Sequence, residues 1–189
     1  MQKRCHWSLA NPLLMSYHDN EWGVPEHHDR KLFELMILEG AQAGLSWNTI
    51  LQKRENYRRA FDRFDPRKVA LYKGRDIQRL LADEGIVRNR LKIASAIQNA
   101  RRFLKIQKEF GSFDRYVWRS VGGKPLRSRH RTLREVPCWS KESDVLSADL
   151  KARGFNFVGT KICYSFMQAA GLVNDHLTGC FRYRPGKKI

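Results

Sequence analysis

Apolar residues recur at three- and four-residue steps along most of the chain, and no stretch sustains the two-residue alternation of a strand. The pattern predicts an all-α protein. Arg30 to Ala43 carries Leu32, Leu35, Met36, Glu39 and Ala43 on one face, with Asp29 placed to cap it. Asn48 to Phe64 follows, with Ile50, Leu51, Tyr57, Phe61 and Phe64 inward and Lys53, Arg54, Arg58 and Arg59 outward. Asp65-Pro66, a capping residue ahead of a first-turn proline, restarts a short helix to Tyr72. Gly74 opens another to about Asp83, and Gly85 separates it from a long one, Arg88 to Phe110, whose buried stripe reads Leu91, Ala94, Ile97, Ala100 and Leu104. Ser112 can cap a helix through Val121, and Glu142 to Arg153 points Leu146 and Leu150 inward. Residues 17–25 and 122–140 have no period and read as loops, and the basic tail 181–189 is expected to fray.

Between Gly154 and Gly159 the pattern passes from one helix to the next through a short glycine-bounded turn, the layout of a helix-hairpin-helix. Unpaired amides at the start of the second helix can hold a phosphate oxygen, which places Gly159, Thr160 and Lys161 against a nucleic-acid backbone. Charge strengthens this. The 189 residues hold 36 Lys and Arg against 19 Asp and Glu, a net charge of +17 spread along the chain, so a polyanion is the expected partner. Part of that charge, including Arg88, Arg90, Lys92, Arg101 and Arg102, reads as a solvated face, and the basic loop 122–140 as a clamp on the backbone. The length fits one domain, 1–189. No apolar run approaches the ~20 residues of a membrane span, and the opening Met-Gln-Lys-Arg-Cys-His-Trp is no signal peptide, so a soluble cytoplasmic protein with reduced cysteines is expected.

Two groups of residues carry chemistry. Cys5 and His18 stand near the start, His176 and Cys180 near the end, four apart as on one helical face. Two thiolates and two imidazoles make a tetrahedral structural zinc set with no open position. Spacing leaves this level with a buried Cys5, an exposed His18 and a capping His176. Glu39 is the other. A carboxylate on an apolar face most often pairs with an arginine, but here Gly44, Leu45, Ser46 and Trp47 follow it, and a base can stack on Trp47 beside it.

Taken together, Cys5, Tyr-His-Asp-Asn-Glu-Trp-Gly-Val-Pro at 17–25, Leu-Glu-Gly-Ala-Gln-Ala-Gly-Leu-Ser-Trp at 38–47, Gly-Phe-Asn-Phe-Val-Gly-Thr at 154–160 and Val-Asn-Asp-His at 173–176 resemble the 3-methyladenine DNA glycosylase I family over nearly the whole chain. The resemblance implies a helix-hairpin-helix glycosylase fold and one structural zinc on Cys5, His18, His176 and Cys180, tying segments 1–25 and 172–189 together. It also implies excision of 3-methyladenine from double-stranded DNA by a monomer without lyase activity, with Glu39 as the working carboxylate. Trp7, Tyr17, Trp22 and Trp47 would form the base pocket, and Gly44 and Leu45 would fill the vacated space in the duplex. Many relatives in the wider superfamily carry a catalytic aspartate where this chain has Asn174, with Asp175 out of phase, and the family carries an aromatic where this chain has Leu14. Two other classes explain part of the pattern. A non-catalytic zinc-containing nucleic-acid-binding protein leaves Glu39 and the aromatics without a role, and a zinc hydrolase or deaminase needs an open metal position.

Overall fold

The computed structural model describes residues 2–183, and its organising element is a helix buried on every side. Along helix α2 (Asp29–Gln42) every residue from Leu32 to Ala41 is buried. Around it pack α3 (Trp47–Ala60), α6 (Arg90–Phe110), α7 (Phe113–Trp118) and α9 (Thr160–Ala169). The remaining helices are α1 (Pro12–Asn20), α4 (Pro66–Val69), α5 (Gly74–Ala82) and α8 (Lys141–Ala152). Phe33, Phe64, Phe103 and Phe113 meet at the centre, with ring centroids 4.2 to 6.5 Å apart. No helix among the described residues is long and apolar enough to cross a membrane.

Asp65 and Ser112 cap helices as predicted, and three further caps join them. Ser46, Asp65, Asn89, Ser112 and Ser140 each accept a bond from a first-turn amide. Asp29 differs. It lies inside α2, and its carboxylate reaches across to accept from the Phe113 and Asp114 amides, 2.8 Å each, and from Gln107 Nε2 at 2.6 Å. It therefore caps α7, not α2. A helix also replaces the first part of the expected loop at 17–25, because Asn11 caps α1 ahead of Pro12, the same signal as Asp65-Pro66.

Helix α3 ends at Ala60, four residues early. Asp62, Arg63 and Phe64 turn left-handed, while Tyr72 Oη donates to Asp62 Oδ2 at 2.6 Å and Arg79 Nη1 to Ala60 O at 3.0 Å. The buried stripe of α6 is rotated from the predicted one. Ile93, Ala96, Ile97, Ala100, Phe103 and Ile106 face inward, whereas Leu91 is 70% exposed, because the large side chains nearer the middle set the phase. Arg54 faces inward as well, for the electrostatic reason described below.

The loop 122–140 is anchored. Strand β1 (Leu126–Arg127) pairs in parallel with β2 (Val173–Asn174), and Thr178 N donates to His130 O at 2.8 Å. Two residues per strand are too few for alternation to register in sequence. Segment 23–26 docks on the end of α9 through Gly23 N to Gln168 O, 2.9 Å, and Glu26 N to Ala170 O, 3.0 Å. At that junction Gly171 has φ +70°, and a Cβ there would stand 2.3 Å from the Val24 carbonyl. Of the tail expected to fray, Phe181 is held by its amide on Lys3 O, 2.9 Å, while 184–189 lie outside the described residues. Removing the Asp29 carboxylate with Asp29→Ala leaves the Phe113 and Asp114 amides of α7 without their acceptor, although Ser112 still caps Arg115 N, and is expected to lower unfolding free energy by about 1–2 kcal/mol. Chemical denaturation checks this, and an unchanged midpoint would contradict the cross-helix cap.

Candidate active site and metal centre

The N-terminal segment folds against the start of α3 because its two entry points are fixed. Asn11 Nδ2 bonds Asn48 Oδ1 at 2.9 Å, and Ser46 caps the helix that begins on Trp47. This brings Trp7 from a short 3-10 turn, Tyr17 from α1, Trp22, and Trp47 from α3 around one cavity of about 180 Å³. Trp7 meets Trp22 edge-on at 5.1 Å, and Tyr17 lies 5.4 Å from Trp47. Glu39 and Gln42 from α2 and Ser165 and Gln168 from α9 complete the lining. The space is small beside the roughly 300–1,000 Å³ of drug-sized sites and is walled by flat rings, so it suits a single heterocycle.

Gln42, Ser165 and Gln168 were not anticipated in the sequence. Ser165 and Gln168 stand one turn apart on the largely apolar later part of α9, which is the signal that marks them. Leu14 packs with Tyr17 and Leu51 behind the aromatic wall and does not line the cavity. Asn174 and Asp175 stay outside this lining as well. Asp175 is buried and accepts from Tyr164 Oη at 2.7 Å and Gln168 Nε2 at 2.8 Å.

Two glutamates on α2 show what each environment does. Glu34 faces arginines: Arg54 Nε lies 2.6 Å and Arg58 Nη2 2.8 Å from its Oε1, and Arg54 also forks onto Glu21 at 2.9 and 2.8 Å. Burial alone would raise the Glu34 carboxyl, but Arg58, Arg54 and Lys31 hold it below its ordinary value. Glu39, five residues on and so turned to another side of the helix, has no such partner. It is 4% exposed, its Oε2 is buried without a hydrogen bond, and burial pushes its carboxyl up to about 8. In the same cavity Trp47 Nε1 is also buried without a partner, and burial together with the nearby Glu39 raises the Tyr17 phenol well above its ordinary value.

A second opening of about 190 Å³ adjoins Glu39 and runs between the turn after α2 and the start of α9, lined by Gly44, Leu45 and Lys161. Gln42–Leu45 is a type II turn: Ala43 has φ −45° and ψ 117°, Gly44 has φ +78°, and Leu45 N donates to Gln42 O at 2.6 Å. Leu45 closes it and is 42% exposed. Opposite, α9 begins after Gly159 with no side chain capping its first amides. Gly154 takes the left-handed conformation expected of the hairpin, but the second such residue is Phe157, while Gly159 is extended. A Cβ at Gly159 would meet nothing within 4 Å, so the fold itself does not require glycine there. Thr160 Oγ1 is tied to Ser143 Oγ at 2.9 Å, and Lys161 is exposed.

Behind the aromatic wall, Cys5, His18, His176 and Cys180 are all buried, with their donor atoms within 4.8 Å of one another. Cys180 Sγ lies 3.3 Å from His18 Nε2 and 3.6 Å from His176 Nδ1, and Cys5 Sγ is 3.7 Å from the same His176 nitrogen. Metal–sulfur and metal–nitrogen bonds of about 2.3 and 2.05 Å at a tetrahedral angle separate sulfur from nitrogen by about 3.6 Å, so the donors fit one ion. The outer contacts fit too. His18 Nδ1 bonds Asp19 Oδ1 at 2.8 Å, His176 Nε2 donates to Trp22 O at 2.9 Å, and the Leu177 and Arg182 amides point at Cys5 and Cys180 sulfur, 3.4 Å each. His176 and Cys180 reach the centre from a turn, in place of the helical face their spacing implied. Cys163 lies elsewhere, its thiol on Val158 O at 3.3 Å.

The model of the methyladenine glycosylase family matches residues 7–183. The chain belongs to that family. It is 54% identical over 186 residues to DNA-3-methyladenine glycosylase 1 of Escherichia coli K12, covering 98% of this chain and 99% of the relative. It is 44% identical over 180 residues to the DNA-3-methyladenine glycosylase of Haemophilus influenzae, covering 95% and 97%. A crystal structure of 3-methyladenine DNA glycosylase I superposes with a TM-score of 0.93 at 53% identity, covering 95% of this chain and 99% of that one. The Staphylococcus aureus enzyme, solved to explain 3-methyladenine recognition, superposes with a TM-score of 0.93 at 38% identity, covering 98% of both chains. Within this glycosylase fold, the buried glutamate and the four-donor cluster are joined through Trp22, whose ring lines the cavity and lies 4.6 Å from the His176 ring.

Both features have measurable consequences. Glu39 titrates at about 8 in the fold, against about 4.3 in an unfolded chain. Stability contributed by its neutral form is therefore full below about pH 4 and drains as pH rises through about 8. Glu39→Gln removes the drain, so its advantage in melting temperature over the parent is expected to grow from near zero at about pH 4 to a maximum by about pH 9. A pH-independent difference would contradict the burial argument. At the metal centre, chelation or Cys180→Ser is expected to lower the melting temperature by about 5 °C or more and shift tryptophan emission, since Trp7 and Trp22 pack on the ligand imidazoles. Coincident melts with and without chelator would show that the cluster binds no structural ion.

Proposed function

We propose that the protein excises 3-methyladenine from alkylated double-stranded DNA by flipping the nucleotide and hydrolysing its N-glycosidic bond, acting in the cytoplasm. The observation that carries this reading is the unpartnered Glu39 carboxyl facing a cavity walled by aromatic rings. Methylation at N3 gives the base a positive charge, and a cation entering the cavity reverses the effect of burial and favours ionised Glu39. The base stacks on Trp47, and Tyr17 hydrogen-bonds its edge. Glu39 Oε2 accepts from the exocyclic amine, a donor that guanine replaces with a carbonyl acceptor. Trp7 and Trp22 close the far wall.

The chemistry needs little acid assistance. Water attacks the anomeric carbon and the carbon–nitrogen bond breaks. The bonding pair neutralises the ring charge, a proton passes to solvent, and free 3-methyladenine and an abasic sugar remain. A carboxylate nearby favours the cationic sugar that develops along this path. No lysine is needed as an imine-forming nucleophile, so no strand cleavage is expected.

The uncapped amides at Gly159, Thr160 and Lys161 hold the DNA backbone. The open space beside Gly159 supports this, since glycine there serves an approaching group and not the protein's own packing. Gly44 and Leu45 fill the vacated stack. Zinc is the metal assigned to Cys5, His18, His176 and Cys180. Two thiolates and two imidazoles suit it, and four protein ligands confine it to holding the chain ends together. A monomer is the working unit in this reading.

Incubation with methylated duplex DNA is expected to release 3-methyladenine while 7-methylguanine stays in place, and Glu39→Gln is expected to slow release about 100-fold or more while the protein remains folded. Chromatography of the freed bases checks both. A folded, DNA-bound protein that releases no base would favour a pure binding module, and undiminished release by the glutamine variant would remove Glu39 from the chemistry.

A further inference from the structure

One face of α6 grips both loops that border the groove beside Glu39. Lys92, Ser95 and Asn99 stand three and four residues apart and so project from that face together. Asn99 exchanges bonds of 2.9 Å with both the carbonyl and the amide of Asn156, and Ser95 Oγ reaches the same carbonyl at 3.3 Å. They hold the hairpin that leads into α9. Lys92 holds the other side. Its ammonium donates to Ala41 O at 2.8 Å and to Ala43 O at 2.6 Å.

Those carbonyls belong to the last turn of α2 and the residue beyond it, where helix geometry leaves acceptors unpaired and a positive charge is favoured. Burial pulls the Lys92 ammonium below its ordinary pKa, so the charge is held there against a desolvation cost. What this arrangement fixes is the type II turn, whose last residue, Leu45, follows Ala43 by two residues and lines the groove with Lys161. Packing of α6 does not require an amine at this place, since neighbouring contacts are made by Ile93 and Ala96.

We propose that Lys92 is a positioning residue for base extrusion, holding the Leu45 turn at a set distance from the start of α9 so that the leucine enters the duplex as the nucleotide leaves it. This rests on the reading of Leu45 as the group that fills the vacated stack.

Single-turnover release of 3-methyladenine is compared on duplex DNA and on the same methylated oligonucleotide unpaired, with binding of free 3-methyladenine followed by tryptophan fluorescence. Lys92→Met is expected to slow release from duplex about 10-fold, leave release from the single strand within about twofold and leave base binding unchanged. Lys92→Arg, which keeps a cation and several donors, is expected to recover most of the loss. Should the methionine variant fold poorly, Lys92→Gln, which retains a single donor group, gives a graded form of the same duplex-to-single-strand ratio. A general packing role would instead lower both rates and base binding together, and that result, or an unchanged duplex rate, overturns the proposal. Leu45→Ala tests the underlying reading separately. A duplex-selective loss in both variants supports both, whereas one confined to Lys92→Met keeps the positioning role and removes Leu45 as the filler.

Discussion

A carboxylate buried without a counter-charge is unfavourable unless it gives up its ionisation, and that constraint organises this molecule. Helix α2 is enclosed on all sides, so neither of its two inner glutamates can turn to solvent. Glu34 is reconciled with burial by importing Arg54, Arg58 and Lys31, which in turn collect Glu21 and tie the N-terminal segment to α3. Glu39 is reconciled by remaining protonated. The difference between the two is the difference between a residue that holds the fold and one left available to a ligand.

The aromatic cavity exists because distant parts of the chain are brought to Glu39. Trp7, Tyr17 and Trp22 come from the first 25 residues, Trp47 from α3, and Ser165 and Gln168 from α9. The first group has little apolar contact of its own with the main core; Tyr17, Leu14 and Leu51 form a small separate cluster with the tryptophans around them. Its position is set by the four-donor centre at its back and by the Gly23 and Glu26 amides on the end of α9. The four-donor cluster and the pocket are one construction. Trp22 shows this directly, since its ring faces the cavity while its carbonyl accepts the bond that fixes the His176 tautomer.

Local features were legible in the sequence in proportion to how local their causes are. Caps at Asp65 and Ser112 place helix starts because cap and amide are two or three residues apart. Asn11-Pro12 carries the same signal but was obscured by the dense aromatic and polar run that follows. Periodicity places Arg54 outward, as for any isolated arginine on a basic helix; its burial depends on Glu21 and Glu34, which no periodicity links to it. Lys92 reads in sequence as part of a solvated face for the same reason, since its acceptors lie about 50 residues away. Glu39 stood out because a carboxylate on an apolar stripe violates the local rule. The metal set was only half legible: each pair has suitable spacing, but nothing short of the fold or a family resemblance joins Cys5 to Cys180.

That junction bears on how the protein is made. Cys180 is the last residue of the metal set, and three of the four aromatic walls are placed by the segment that it helps to pin. While the chain is still being synthesised, α2 can already have buried Glu39 against α3 and α6, yet no closed cavity faces it. A nascent chain on the ribosome, even one with most of its core in place, is therefore without a base-binding site. The pocket is complete only once the segment that carries Cys180 has folded back onto the first 25 residues, so a shorter piece of the chain holds Glu39 without its aromatic walls.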